Sequence, residues 1–125
     1  MTGSDLKILA MERVQDAKAL HAATRYSGAM YLCGYAVECA LKSRICMHLG
    51  WTTYKIDSKV AQMKIHNFDD LLSFTGIENQ KKTFLKEWNV VANWKPDMRY
   101  EMATPTPVQT QEMISSTEAM LKVLI

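Results

Sequence analysis

The sequence predicts an all-α fold, an up-and-down bundle of four main helices plus one short helix, and three observations lead there. Apolar residues recur at three- and four-residue spacings along most of the chain. No segment alternates apolar and polar residues as a half-buried strand does. The helix-ending residues Gly50, Gly76 and Pro96 fall between the periodic stretches. At 125 residues and 48 % hydrophobic composition, the chain is expected to form one domain, 1–125, with enough material for a packed core.

The first helix is expected to start at the cap Ser4, with Asp5 in its positive first turn. Leu6, Leu9, Ala10, Val14, Ala17 and Leu20 then make one buried stripe, to about Ala23. The second helix runs from Tyr26 to Leu49, about 36 Å, and closes with His48 and a left-handed Gly50. Small and apolar residues occupy nearly all its faces, which predicts the most buried element. Glu38 interrupts it: no charge precedes that residue back to Tyr26.

Residues 51–65 have no clear period and read as a loop with at most a short helical turn. A short third helix from about Asn67 buries Phe68, Leu71, Leu72 and Phe74 and ends at Gly76. The fourth, from about Glu78, buries Phe84, Leu85, Trp88, Val91 and Ala92. Pro96 stops it, because the residue before a proline is driven out of the helical region. After the rigid "ATPTP" turn, Thr106, Pro107 and Gln109 form a capping box with proline at the first helical position. The last helix carries Val108, Ile114, Met120, Leu121 and Leu124.

Composition narrows the function classes. A net charge of +2 permits an anionic ligand but is far from the bias of a nucleic-acid-binding chain. The N-terminus lacks the layout of a signal peptide, and no apolar run approaches the roughly 18 to 20 residues of a membrane span. Cys33, Cys39 and Cys46 lie on one helix, neighbours separated by about 9 to 10 Å of rise, too far to pair with one another. Reduced thiols and a cytoplasmic protein are the expectation.

Few residues carry recognisable chemistry. His21, Cys39, Cys46, His48 and His66 form no spaced ligand pair, and no helix holds a Glu-x-x-His motif, so neither a metal nor another cofactor is expected. No Ser, Thr or Cys has a histidine at a spacing that implies a base, and there is no glycine-rich phosphate loop. Lys81, Lys82 and Lys86 read better as a solvated helix face than as a phosphate track. The nine methionines read as adaptable core or interface filler. The most informative stretch is "WKPDMRYEM". There Arg99, held between Trp94 and Tyr100, can stack on a base, fork onto a phosphate, or satisfy a buried carboxylate elsewhere in the bundle.

Four pieces, "AMERVQDA", "GAMYLCGYAVECALKSRI", "HNFDDLL" and "WKPDMRY", occur in an order that resembles HEPN domains, the higher-eukaryote and prokaryote nucleotide-binding domains. The resemblance covers nearly the whole chain apart from residues 51–65. It implies a small helical bundle that dimerises, is encoded beside a minimal nucleotidyltransferase, and recurs in toxin–antitoxin and defence systems. The ribonuclease members carry a late arginine followed after four to six residues by a histidine. Here "YEMATPT" follows Arg99 and no later histidine exists; Arg44 and His48 are too closely spaced and sit in the second helix. No catalytic residue is therefore assigned.

Together these readings predict a non-catalytic binding module, a homodimer that accepts a nucleotide or a partner minimal nucleotidyltransferase through Lys42, Trp94, Arg99 and Tyr100. The alternatives are an RNA-cleaving toxin with an atypical site around Arg99, and a purely structural dimer. The homodimer follows from the second helix, which is apolar around more of its circumference than its neighbours in a small bundle readily cover. Glu38 demands a partner, because a lone buried carboxylate is costly. Lys42 could reach it, but its stem more naturally runs to water. Arg99 is the expected partner, through two parallel hydrogen bonds.

Overall fold

Thr2, two residues before the expected Ser4, caps the first helix. Its hydroxyl accepts from the Asp5 amide and the Asp5 carboxylate accepts from the Thr2 amide, both at 3.0 Å. This reciprocal box outcompetes Ser4 because Asp5 then stands three residues after the cap, where it closes the second bond. The computed structural model describes residues 1–55, 67–94 and 103–125. Their helices are α1 (Gly3–Ala22), α2 (Tyr26–Leu49), α3 (Phe68–Ser73), α4 (Leu85–Val91) and α5 (Pro107–Leu124), with a 3-10 segment, Glu78–Phe84, leading into α4. The only β pairing among the described residues is an isolated bridge between Thr2 and Thr53. The all-α bundle expected from the periodicity is the observed fold.

α1 and α2 form an antiparallel hairpin. Gly3 packs on Cys46, and the Ser43 hydroxyl donates to the Gly3 carbonyl at 2.8 Å, so the start of α1 lies beside the end of α2. The connection turns at Thr24, whose φ of 62° is left-handed, while the Arg25 amide closes onto the Leu20 carbonyl at 2.8 Å. From Ala29 to Cys46 every residue of α2 is buried or half-buried under α1, α3, α5 and neighbouring segments. The surplus apolar circumference invoked for a second copy is thus covered within one chain. Among the described residues the exposed large apolar side chains are elsewhere: Met1 ahead of α1, Ile8 and Met11 on it, Met47 and Leu49 at the end of α2, Leu85 and Val108.

The expected fourth helix starts differently. Glu78–Phe84 winds as a 3-10 helix, and the Thr83 hydroxyl takes the Gln80 carbonyl at 2.7 Å. Three residues per turn bring Lys81 and Phe84 onto one line and turn Leu85 to solvent, which the α-helical period had placed inside. On that line Lys81 reaches Asp69 at 3.2 Å, and the indole N–H of Trp88 donates to the same carboxylate oxygen at 2.8 Å. Asp69 thereby fastens α3 to α4. α4 ends at Val91, before Pro96, with the Trp94 amide closing onto the Val91 carbonyl at 3.1 Å.

α5 begins as expected, with Thr106 and Gln109 in a capping box and Pro107 in the first turn. Its inner face is Thr110, Met113, Ile114, Thr117, Met120, Leu121 and Leu124, whereas Val108 is 75 % exposed. Gly50 is left-handed at φ 69°, as its position after α2 requires. One connected core joins Leu41 and Ile45 of α2 to Leu71, Leu72, Trp88 and Met120. Among the described residues no helix is long and apolar enough to cross a membrane.

Candidate functional site

Trp94 closes the segment after α4 and lies directly on α2. Its seat is Gly34: a Cβ there would fall inside the indole ring, so only glycine admits it. Phe68 stacks on the ring at 5.4 Å with planes 12° apart, and Tyr31 meets it at 5.7 Å. Trp94 is 4 % exposed, yet its indole N–H has no hydrogen-bond partner among the described residues. A buried donor left in that state costs on the order of 1–3 kcal/mol.

Beside Trp94 a cavity of about 680 Å³ opens between the start of α2, α4 and the start of α5. Met30, Tyr31, Val90, Trp94 and Met113 make its apolar wall. Ser27, Asn89, Asn93 and Gln109 supply uncharged polar groups, and Glu112 is the one charged residue among the described lining. The Asn93 amide nitrogen donates to the Asn89 carbonyl at 3.2 Å, which fixes the side-chain direction. Gln109 is oriented by its role in the α5 cap, where its side-chain oxygen accepts from the Thr106 amide at 3.0 Å. Sequence reasoning found Trp94 but missed the polar lining. Asn89 and Asn93, four apart on one helical face beside a tryptophan, were the available signal; Ser27 and Glu112 join them only through the tertiary fold.

Glu38 lies one turn beyond Gly34 on the same side of α2 and is 5 % exposed. The ion pair described for it runs to Lys42, Nζ to Oε2 at 3.8 Å. Lys42 also stands over the Tyr54 ring at 5.2 Å, a cation–π contact. Burial lowers the Lys42 pKa, and the nearby Cys39 pulls it partly back; burial raises that of Tyr54. Lys42 is not among the cavity residues, being about three turns, some 16 Å, beyond Tyr31 along α2. Arg99 and Tyr100 lie outside the described residues, and with them the expected Glu38–Arg99 pair. Of the sequence-predicted contacts, the described structure brings Trp94 to the cavity and holds Lys42 at Glu38.

The three thiols are buried and unpaired. Burial pushes the Cys33 thiol up to about 12, with the Thr117 hydroxyl pulling back, and the Cys39 thiol up to about 11. At neutral pH both stay protonated and make poor nucleophiles. Lys81 is engaged by Asp69 and lies 6.0 Å from the Trp88 ring centroid, while Lys82 and Lys86 project into solvent. No family model, curated protein or solved structure matches the chain.

Proposed function

We propose that the chain is a non-catalytic binding module of the HEPN type, which takes a nucleotide in the cavity beside Trp94. The observation that carries this reading is the cavity beside Trp94 itself, about 680 Å³, large enough for a small organic ligand and lined by aromatic and uncharged polar side chains. Tyr31 offers an aromatic ring to a base, and the amides of Asn89, Asn93 and Gln109 offer hydrogen bonds to its edge. Arg99 and Tyr100 complete the proposal from the sequence side, as the groups that would meet phosphate or a partner. Lys42 is engaged with Glu38 and Tyr54 and contributes to the fold. Three buried reduced thiols accord with a cytoplasmic protein. A homodimer, and a minimal nucleotidyltransferase partner in a toxin–antitoxin or defence setting, belong to the same proposal through the family resemblance.

Isothermal titration of the purified chain with a panel of nucleosides and nucleotides tests the binding. Saturable binding of one or more, weakened by Trp94→Phe, supports it; silence across the panel removes it. RNA cleavage that disappears in Arg99→Ala at unchanged folding would replace it with a ribonuclease. One observation favours a structural dimer as the second reading: Ile8 and Met11, 57 % and 53 % exposed, stand one turn apart on α1. A dimer by light scattering that Ile8→Lys dissociates, with no ligand bound, would establish that reading.

A further inference from the structure

We infer that two copies of this chain meet on the exposed face of α1, the two helices running parallel. Ile8 and Met11 form the seam, and Lys7 of each copy faces Glu12 of the other. This rests on the homodimer of the reading above and names its surface and its direction.

Spacing comes first. Single exposed apolar residues need no explanation, but Ile8 and Met11 belong to a row. Ser4, Ile8, Met11 and Gln15 are all exposed and follow one another at the alternating four- and three-residue spacing that keeps one helix face turned to a partner helix. The charged residues of α1 all lie off that row. Its opposite side, Leu6, Ala10, Val14 and Ala17, is already buried in the bundle, so the row faces outwards.

Charge decides the direction. Lys7 lies on one flank of the row and Glu12 on the other. Parallel helices related by a two-fold axis bring opposite flanks together, so Lys7 meets Glu12 twice. Antiparallel helices bring like flanks together and would set lysine towards lysine and glutamate towards glutamate. The neighbouring charges are engaged within the chain: Asp5 in the α1 cap, Asp16 with Arg13 at 3.2 Å, and Lys18 with Glu118 at 2.8 Å. Lys7 has no ion pair among the described residues. Glu12 meets Arg13 at 3.5 Å and keeps 60 % of its side chain exposed.

The test is analytical ultracentrifugation of the full chain at low salt, from about 1 to 300 µM, with thermal melts as a folding control. Every variant is at an exposed position. The unaltered chain should dimerise, and Ile8→Lys should be monomeric throughout. Lys7→Glu and Glu12→Lys should each weaken the dimer about tenfold, and the double exchange should restore it to within about twofold. Ser4→Cys adds one exposed thiol to three buried ones, and mild oxidation should link two copies through it. Antiparallel helices centred on Ile8 and Met11 would hold those two thiols roughly 16 Å apart, too far to bond. Adding Ile8→Lys should abolish the link. A dimer that survives Ile8→Lys overturns this surface, and a double exchange no better than the single ones, or no link through Ser4→Cys, overturns its direction; in each case the homodimer reading stands. A monomer at every concentration overturns both.

Discussion

Trp88 and Trp94 stand six residues apart, are 1 % and 4 % exposed, and both pack on Phe68, yet they differ in one bond. The Trp88 indole N–H donates to Asp69 at 2.8 Å, and Lys81 meets the same carboxylate oxygen. The Trp94 N–H has no partner among the described residues, and its ring forms a cavity wall. The difference separates a fastener from a candidate site. Trp88 is satisfied on every side, which is how buried polar groups ordinarily persist. Trp94 keeps a donor in reserve, held there by a glycine and two aromatic neighbours.

Alkali should separate the two regions by the largest margin. All three cysteines lie on α2, the helix that seats Trp94, and Cys33 is the neighbour of Gly34. Their folded pKa values stand above the ordinary value of 9.0, at about 12 for Cys33 and about 11 for Cys39. Their contribution to stability is complete below pH 9 and is lost as pH climbs towards those values, because the unfolded thiols release protons first. The slope is up to ~1.4 kcal/mol per pH unit for each thiol. Lys42, lowered by burial, works in the opposite direction up to its ordinary 10.5, but the thiols outnumber it. Urea midpoints from pH 8 to 11 should therefore fall, and a flat profile would show that α2 opens before the thiols titrate.

Gly34→Ala places a methyl group inside the Trp94 ring and should cost about 1–3 kcal/mol or more in urea unfolding, because a rigid indole cannot step aside. A neutral substitution would mean that Trp94 is not seated on α2. Asp69→Ala removes the acceptor of the Trp88 indole N–H, but Asp69 is 60 % exposed and water takes its place, so the expected loss is that of one ordinary hydrogen bond, about 0.5–1.5 kcal/mol. The paired changes Trp88→Phe and Trp94→Phe sharpen the comparison further. Both shrink a ring, but only the first also breaks a hydrogen bond, so the first should cost about 1 kcal/mol more. Equal losses would dissolve the distinction between the corners.

Much of the fold was legible in the sequence because its signals are local. Gly50, the Thr106–Gln109 box and the α1 stripe are written in spacing and turn chemistry, and each is observed. Two local choices were misread. Thr2 won over Ser4 through a reciprocal bond with Asp5, and a 3-10 start displaced Leu85 from the core. The site was less legible. Trp94 announced itself as an aromatic residue beside a proline, but Ser27, Asn89 and Glu112 meet it only once α2, α4 and α5 are packed. The dimer argument from α2 failed to anticipate how much of that helix a single chain covers, since small residues such as Ala36 and Ala40 let α1 and α5 approach closely.

The most direct measurement of the central claim follows the three indole N–H resonances of Trp51, Trp88 and Trp94 in a ¹⁵N-labelled sample, each assigned by its Phe variant, during titration with the panel of nucleosides and nucleotides. The account predicts that the Trp94 signal moves saturably, because its ring lines the cavity, while the Trp88 signal, bonded to Asp69 away from it, stays in place. A Trp94 signal that moves with no member of the panel, or that moves no more than Trp88, would contradict it.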